Sequence, residues 1–324
     1  MGSPSSKHPN LSMGVEKFIY KLESLNSVPL YELSAKDARN FLEELQERTT
    51  IETKCDIIDK DINTEYGLIN VRTVRPCGCK EKLPAILYFH GGGWILGSKS
   101  THSTLINLLS EYSRSAVIFP EYSLSPESSY PVAIDQGYSI LKYIYANADE
   151  FNIDRQRIAV AGDSAGGNMA TVIAMMIKNS KENNIELKYQ ALFYPVTSSE
   201  MKTGSYNDFK NGPWLSKKAM EWFWNAYAPD KQMRSSVYIS PLNASEEELC
   251  EMPPALIITA ENDVLRDEGE EYARKLNNAG VEVTNMRING TIHDFLMLNA
   301  LYDTSISRDT LYAAGKIIQK ALNS

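Results

Sequence analysis

Short runs of apolar residues recur through the second part of the chain and alternate with segments whose apolar residues have helical spacing. The runs lie at 85–90, 116–120, 158–162, 189–195, 255–260 and 283–288. The helical patterns between them include 103–114, 132–148, 165–181 and 267–279. Strands that are almost continuously apolar and are separated by helices are typical of a parallel sheet covered on both faces. The pattern therefore predicts an α/β fold.

The remaining segments depart from this alternation. Residues 14–48 have helical patterns with Ser34 as a predicted N-cap, residues 68–76 have the period of a partly exposed strand, and 301–323 predicts a closing helix. The interval 198–250 has no strong strand pattern but is rich in aromatic residues, namely Trp214, Trp222, Phe223, Trp224 and Tyr227. Such an insertion fits either part of a lid or a helical excursion that packs on the sheet.

The composition indicates a globular protein. Of its 324 residues, 43% are hydrophobic and 23% charged, which fits one large α/β domain or two ordinary ones. The net charge of -8 argues against a nucleic-acid partner, because such domains usually carry a basic patch. We find neither a run of 18 apolar residues nor a secretory signal pattern, so we expect a cytoplasmic protein without stable membrane insertion. The opening MGSPSS matches the N-myristoylation pattern and equally fits a flexible leader.

Four cysteines are too few for a disulfide framework in a chain of this length. Cys77 and Cys79 flank a glycine, which fits a turn or half of a metal site. No second Cys/His pair has metal-ligand spacing, so we favour the turn and expect no metal.

A serine lies among small residues where the strand pattern 158–162 passes into a helix. The sequence GDSAG at 162–166 fits the G-x-S-x-G motif. A sharp strand-to-helix turn requires small neighbours and projects the serine Oγ at the carboxyl end of the sheet. The following helix N-terminus points N–H groups at a developing anion. The pattern predicts that Ser164 is a nucleophile, against the alternative of an ordinary tight turn.

A serine nucleophile needs a general base and an acid that orients the base, and this motif has the chain order Ser, acid, His. The chain has four histidines, and only His293 follows Ser164. The acidic candidates between them are Glu261, Asp263, Asp267 and Glu268. The first still lies close to the end of a strand, and the last two fit the first turn of the next helix. We therefore predict Asp263 as the orienting acid and His293 as the base.

A glycine-rich stretch, FHGGGWILGS at 89–98, follows an apolar strand and predicts an oxyanion hole. Its candidate donors are the N–H groups of Gly91, Gly92, Gly93 and Ala165. The stretch contains neither G-x-G-x-x-G nor a P-loop G-K-[ST], which argues against a nucleotide cofactor. We assign structural roles to His90, because it precedes the serine, and to Asp163, whose side chain should point away from the serine Oγ.

These motifs together resemble the hormone-sensitive-lipase family of α/β-hydrolases. The resemblance rests on HGGG at 90–93, the elbow at 162–167, DVLRDEG at 263–269 and His293, in that order. The segments YFHGGGWILGS and YSLSPE are similar in sequence to the bacterial acetyl esterases of that family. The resemblance implies an α/β-hydrolase fold, a mostly parallel sheet with helices on both faces and a helical cap. It places cap segments at 1–60 and 198–250 and the core at 61–197 and 251–324.

The resemblance also implies a serine carboxylesterase for short acyl chains, acetyl to about hexanoyl, with no cofactor and with a possible homodimer. Two positions depart from the family pattern, with Val264 in place of proline and Asp294 in place of glycine. If Asp294 lies close to His293, its charge would raise the pKa of that histidine. The alternatives are an arylamide deacetylase or lipase of the same family, and a non-catalytic receptor like those for gibberellin, which lack the histidine.

Overall fold

An eight-stranded sheet forms the centre of the protein, whose computed structural model describes residues 10–25, 28–49, 51–180 and 184–324. The strands are β1 (Cys55–Thr64), β2 (Gly67–Pro76), β3 (Leu83–Phe89), β4 (Ala116–Pro120), β5 (Ile153–Asp163), β6 (Leu187–Phe193), β7 (Ala255–Asn262) and β8 (Val283–Ile292). Their spatial order is β1-β2-β4-β3-β5-β6-β7-β8. All neighbours from β4 to β8 are parallel, whereas β2 is antiparallel to both β1 and β4. The prediction of a mostly parallel sheet is confirmed.

Helices surround this sheet. They are α1 (Met13–Ser24), α2 (Ala35–Glu47), α3 (Ser103–Ser113), α4 (Val132–Ala146), α5 (Ala165–Asn179), α6 (Gly204–Asp208), α7 (Lys217–Tyr227), α8 (Glu246–Leu249), α9 (Arg266–Asn278), α10 (Asn299–Tyr302) and α11 (Ser305–Ala321). Helix α3 contacts α11, and α4 contacts α5. Every residue of β3 and β4 is buried, so helices cover both faces of the central sheet.

Two predicted boundaries differ from the structure. Strand β1 begins at Cys55, so the boundary placed at residue 60 between cap and core falls inside the sheet. Most of β1 is exposed, and its polar sequence CDIIDKDINT lacks the apolar run by which the buried strands were predicted. The closing helix predicted at 301–323 is divided into α10 and α11, because Thr304 caps a new helix by accepting the N–H of Ser307. The MGSPSS motif lies outside the described residues.

The N-terminal helix α2 begins where the sequence predicts. The Ser34 hydroxyl accepts the N–H of Asp37 at 3.1 Å, which is N-cap geometry. The apolar face of the helix is buried, with Ala38, Leu42 and Leu45 in the core. This packing places α2 beside the carboxyl ends of the strands, where ligands bind in open α/β sheets.

The 198–250 interval contains α6, α7 and α8, with loops and two short 3-10 helices between them. Ser216 caps α7 through the N–H of Ala219. The aromatic residues of the interval pack back onto the sheet domain, and the rings of Trp94 and Tyr227 stack with their centroids 4.0 Å apart. The interval thus covers the loop that follows β3.

Candidate active site

Ser164 occupies a strained turn between β5 and α5. Its backbone has φ 54° and ψ -119°, outside the regions that non-glycine residues usually adopt. A Cβ at Gly166 would overlap the carbonyl oxygen of Phe89 in the neighbouring strand, so only glycine fits there. The small residues of GDSAG therefore let a helix begin directly against the sheet, with the serine at its N-terminus.

Three side chains from separate segments form a hydrogen-bonded chain at the carboxyl edge of the sheet. His293 Nε2 lies 2.8 Å from Ser164 Oγ, and His293 Nδ1 lies 2.6 Å from Asp263 Oδ2. The other oxygen, Asp263 Oδ1, accepts the N–H of Leu265 at 2.9 Å, which fixes the carboxylate. All three side chains are buried. The structure thus brings together the three residues that the sequence predicts as nucleophile, base and acid.

The electrostatics around His293 favour its protonated form. Burial disfavours the imidazolium, but the charges of Asp263 and Asp294 outweigh this effect and raise the pKa of His293 to about 9. Asp294 Oδ1 lies 3.3 Å from His293 Nε2. Burial raises the pKa of Asp294, while the neighbouring His293 opposes this change. The aspartate that follows the histidine is therefore close enough to act on it.

The glycine loop after β3 differs from the prediction at one residue. The N–H of Gly91 donates to Asp163 Oδ1 at 3.0 Å, so this group is not available to a bound anion. Gly92 and Gly93 line the same cavity as Ser164. Within the described ranges, their N–H groups have no acceptor, and Ala165 begins α5 without a helical partner for its N–H. The candidate donors are therefore those of Gly92, Gly93 and Ala165.

A buried network holds this loop in place. Asp163 accepts the hydroxyl of Tyr88 at 2.7 Å and the N–H of Gly91, and it lies 3.3 Å from His102 Nε2. Burial opposes ionisation of Asp163, but His102 and the hydroxyl of Tyr88 lower its pKa. Burial lowers the pKa of His90 to about 3, so its ring is neutral and contacts Gly91 O through Nδ1 at 2.8 Å. The structural roles expected for His90 and Asp163 agree with these contacts.

A cavity of about 320 Å³ opens above Ser164 and His293. The N-terminal segment before the sheet and the 198–250 interval both contribute to the wall of the cavity. Tyr31 and Phe41 come from the N-terminal side, and Trp214, Leu215 and Phe223 from the 198–250 interval. Gly93 has φ 61°, and a Cβ there would overlap the ring of Phe223, so the glycine loop and α7 are in close contact. The lining is therefore largely apolar. Its polar residues are Ser164, His293 and Asp294, which lie together, and Lys210, Asn211, Ser216 and Lys218.

Other kinds of site are not found in the described part of the chain. It contains no group of three or more His, Cys, Asp or Glu residues that could hold a metal ion. Cys55, Cys77, Cys79 and Cys250 are free. In residues 10–25, 28–49, 51–180 and 184–324, no helix combines the length and apolarity needed to cross a membrane.

Comparison with known families agrees with this geometry. A family model described as the alpha/beta hydrolase fold matches residues 86–297. The chain belongs to the α/β-hydrolase family. Its resemblance to the hormone-sensitive-lipase group, predicted from the motifs, is confirmed.

Relatives of this α/β hydrolase include proteins named as esterases. A protein of Acanthamoeba polyphaga mimivirus that is assigned to the alpha/beta hydrolases is 41% identical over 93% of this chain and 86% of its own length. An ethyl acetate hydrolase of Pseudomonas putida is 34% identical over 85% of this chain and 87% of its own. The crystal structure of a thermostable esterase from Pseudomonas putida superposes with a TM-score of 0.95, 40% identity and coverage of 98% and 99%.

Part of the cavity wall of this α/β hydrolase has no signal in the sequence. Tyr31 lies within a short 3-10 helix (Leu30–Glu32) and Met297 follows His293 in the chain, and neither belongs to a motif. The many aromatic residues of 198–250 did indicate that this interval contributes to the cavity wall. The contact between Trp214 Nε1 and Asp294 Oδ2, at 2.8 Å, joins residues 80 positions apart and had no local signal.

Proposed function

We propose that this α/β hydrolase is a serine esterase that cleaves short-chain carboxylic esters through an acyl-enzyme. The observation that supports this most strongly is the continuous hydrogen-bonded chain from Asp263 through His293 to Ser164. A serine hydroxyl is a weak nucleophile unless an adjacent base takes its proton, and this arrangement supplies that base. The esterase names of the relatives point to the same class of reaction.

The proposed reaction has two stages, acylation of Ser164 and hydrolysis of the acyl-serine by water. Ser164 Oγ forms a bond to the ester carbonyl carbon while its proton moves to His293 Nε2. The developing oxyanion accepts N–H groups of Gly92, Gly93 and Ala165. The ester C–O bond breaks, and the departing oxygen takes the proton from Nε2. Water then gives a proton to the same nitrogen as its oxygen bonds to the acyl carbon. The bond from that carbon to Ser164 Oγ breaks, Oγ takes the proton back from Nε2, and the carboxylic acid is released. Asp263 keeps the imidazole oriented and stabilises its charge throughout.

The size of the cavity supports small substrates. About 320 Å³ is near the lower end of the volumes of small-molecule sites, which run from roughly 300 to 1,000 Å³. Trp214 and Phe223 contribute aromatic side chains to the wall of this cavity. The name of the Pseudomonas putida ethyl acetate hydrolase fits the same preference. We therefore propose acyl groups from acetyl to about hexanoyl.

The test measures kcat/KM for p-nitrophenyl esters of increasing acyl length. We expect the highest values at short chains and a sharp loss beyond roughly six carbons. Ser164→Ala should lower kcat/KM by at least about 10³-fold, because the nucleophile is lost. Ser235→Ala, at an exposed serine, is the matched control and should retain activity. Absence of hydrolysis by the wild type would favour a receptor. A maximum of kcat/KM at long acyl chains would favour a lipase, and faster cleavage of matched arylamides would favour a deacetylase.

A further inference from the structure

Asp294 lies in the wall of the cavity and has one buried carboxylate oxygen without a hydrogen-bond partner. Its Oδ2 accepts the indole N–H of Trp214 at 2.8 Å, which fixes the plane of the carboxylate. Its Oδ1 has no hydrogen-bond partner among the residues that the structure describes, although it lies 3.3 Å from His293 Nε2. Asp294 is only 8% exposed, and it lines the cavity together with Ser164 and His293.

This arrangement is costly for a side chain without a ligand. Asp294 has φ 63°, a left-handed conformation that aspartate adopts more readily than most other non-glycine residues, so the backbone contributes little to the cost. The cost lies in the buried oxygen, because a buried polar atom without a hydrogen-bond partner is destabilising, and more so when it is charged. A hydrogen-bond donor on a bound molecule would remove this cost. The oxygen is therefore a candidate acceptor for a donor on a ligand.

The position of Oδ1 indicates which part of an ester would reach it. In the proposed reaction, the departing alcohol oxygen takes its proton from His293 Nε2, so that oxygen lies within hydrogen-bond distance of Nε2. A hydroxyl on the next carbon lies about one hydrogen-bond length from the same oxygen. With Oδ1 only 3.3 Å from Nε2, a hydroxyl so placed can donate to it.

We propose that Asp294 selects esters whose alcohol part carries a free hydroxyl on the carbon adjacent to the ester-bearing carbon, as in monoacylated glycols, glycerol and sugars. This inference rests on the proposed esterase function. The second hydroxyl donates to Asp294 Oδ1 and keeps its proton. Only the ester C–O bond breaks, and the diol leaves with the proton that Nε2 supplies.

A matched pair of esters tests this directly. 2-Hydroxyethyl acetate and propyl acetate have nearly the same shape and differ by a hydroxyl in place of a methyl group. Acetate release by pH-stat gives kcat/KM for each, and the wild type should prefer the hydroxy ester. The ratio of the two values cancels the ionisation of the free enzyme, because neither ester titrates. A change in the ratio therefore reports recognition and not the pKa of His293.

Two variants at residue 294 and one control complete the design. In Asp294→Asn, the Trp214 N–H holds the amide oxygen and turns the NH₂ group toward the cavity, so shape is kept and the acceptor is lost. Asp294→Gly removes the whole side chain, and both substitutes tolerate the positive φ. Each should lower the preference for the hydroxy ester about tenfold or more, as expected for a hydrogen bond to a charged acceptor. Asp309→Asn, on the exposed face of α11, should leave the ratio unchanged.

A second pair of esters places the hydroxyl on the acyl side. Ethyl glycolate and ethyl propanoate form this pair, and the Asp294 variants should leave their ratio unchanged. An unchanged ratio for the first pair in both variants, or a response confined to the second pair, would overturn the inference while leaving the esterase function intact. Failure of the wild type to hydrolyse any of the four esters would instead count against the proposed function.

Discussion

Carboxylates surround the ring of His293 on more than one side. Asp263 contacts Nδ1, Asp294 lies beside Nε2, and Asp163 adds a more distant negative charge. Burial opposes the imidazolium, yet these charges raise the pKa of His293 to about 9. A general base must be unprotonated in the free enzyme to accept the proton of the serine. The immediate surroundings of one histidine therefore predict the pH dependence of the whole reaction.

We expect kcat/KM for a short ester to rise with pH through a midpoint near 9, because only neutral His293 is active. Asp294→Asn should move this midpoint to lower pH, since it removes one of the charges that favour the imidazolium. Initial rates corrected for spontaneous hydrolysis give the profile, with Asp309→Asn as the exposed control. An identical midpoint in wild type and Asp294→Asn would contradict this role of Asp294.

At the scale of elements, a buried glutamate joins the end of β6 to α9. Glu268 Oε1 accepts the N–H groups of Thr197 and Ser198 at 2.6 and 3.1 Å. The side chain is fully buried, and burial raises the pKa of Glu268 to about 8 although these N–H groups oppose the change. Asp263 lies just before the same helix. Glu268 therefore supports the segment that carries the acid of the site.

The raised pKa of Glu268 has a definite sign for stability. Below its ordinary pKa of about 4.5, the carboxyl is protonated in both folded and unfolded chains. From there to about pH 8, the unfolded chain binds fewer protons, so this group lowers stability as pH rises. The Tm of Glu268→Gln minus the Tm of wild type should therefore be larger at pH 8.5 than at pH 5. For the exposed control Glu271→Gln, this difference should be the same at both pH values. The same result for Glu268→Gln would contradict the prediction.

A second connection between elements ties α2 to the rim of the site. Gln46 Nε2 donates to the carbonyl oxygens of Thr101 and Met297 at 2.6 and 2.9 Å, and Gln46 Oε1 accepts the N–H of Asn299 at 3.0 Å. Met297 and Asn299 follow the segment that carries His293. One buried amide thus fixes the N-terminal helix to two loops beside the cavity.

Gln46→Leu should lower the free energy of unfolding by about 1–3 kcal/mol, because buried backbone groups lose their partners. Urea unfolding measures the change, and Gln156→Leu, at an exposed glutamine, is the control. Stability equal to wild type in Gln46→Leu would show that the amide does not hold α2 in place.

At the scale of the molecule, the sheet brings distant segments to one edge, and much of this could be predicted from sequence. The parallel strands each contain a short apolar run, although the first half of β5 and most of β8 are not buried, so their order along the chain could be predicted. Ser164 lies in a motif with strong local constraints, and His293 is the only histidine that follows it. These residues could be placed because their local geometry or their chain order determines their position.

The missed features depend on contacts between segments that have no common pattern. Strand β1 is exposed at the edge of the sheet, so no apolar run marks it. The N–H of Gly91 donates to Asp163, which lies 72 positions later in the chain and shares no motif with the glycine loop. The contact of Trp214 with Asp294 likewise joins an interval outside the sheet domain to a loop after β8. Such pairings require the folded chain.

The most direct test of the proposed catalytic residues is covalent capture at the nucleophile. A p-nitrophenyl alkylphosphonate transfers its phosphonyl group to an activated serine, and mass spectrometry of the digested protein locates the adduct. We predict one phosphonyl group per chain, on Ser164, with loss of esterase activity in proportion to labelling and no adduct in His293→Ala. Continued ester hydrolysis without an adduct, or inactivation through a different residue, would contradict the assignment of Ser164, His293 and Asp263 as one catalytic unit.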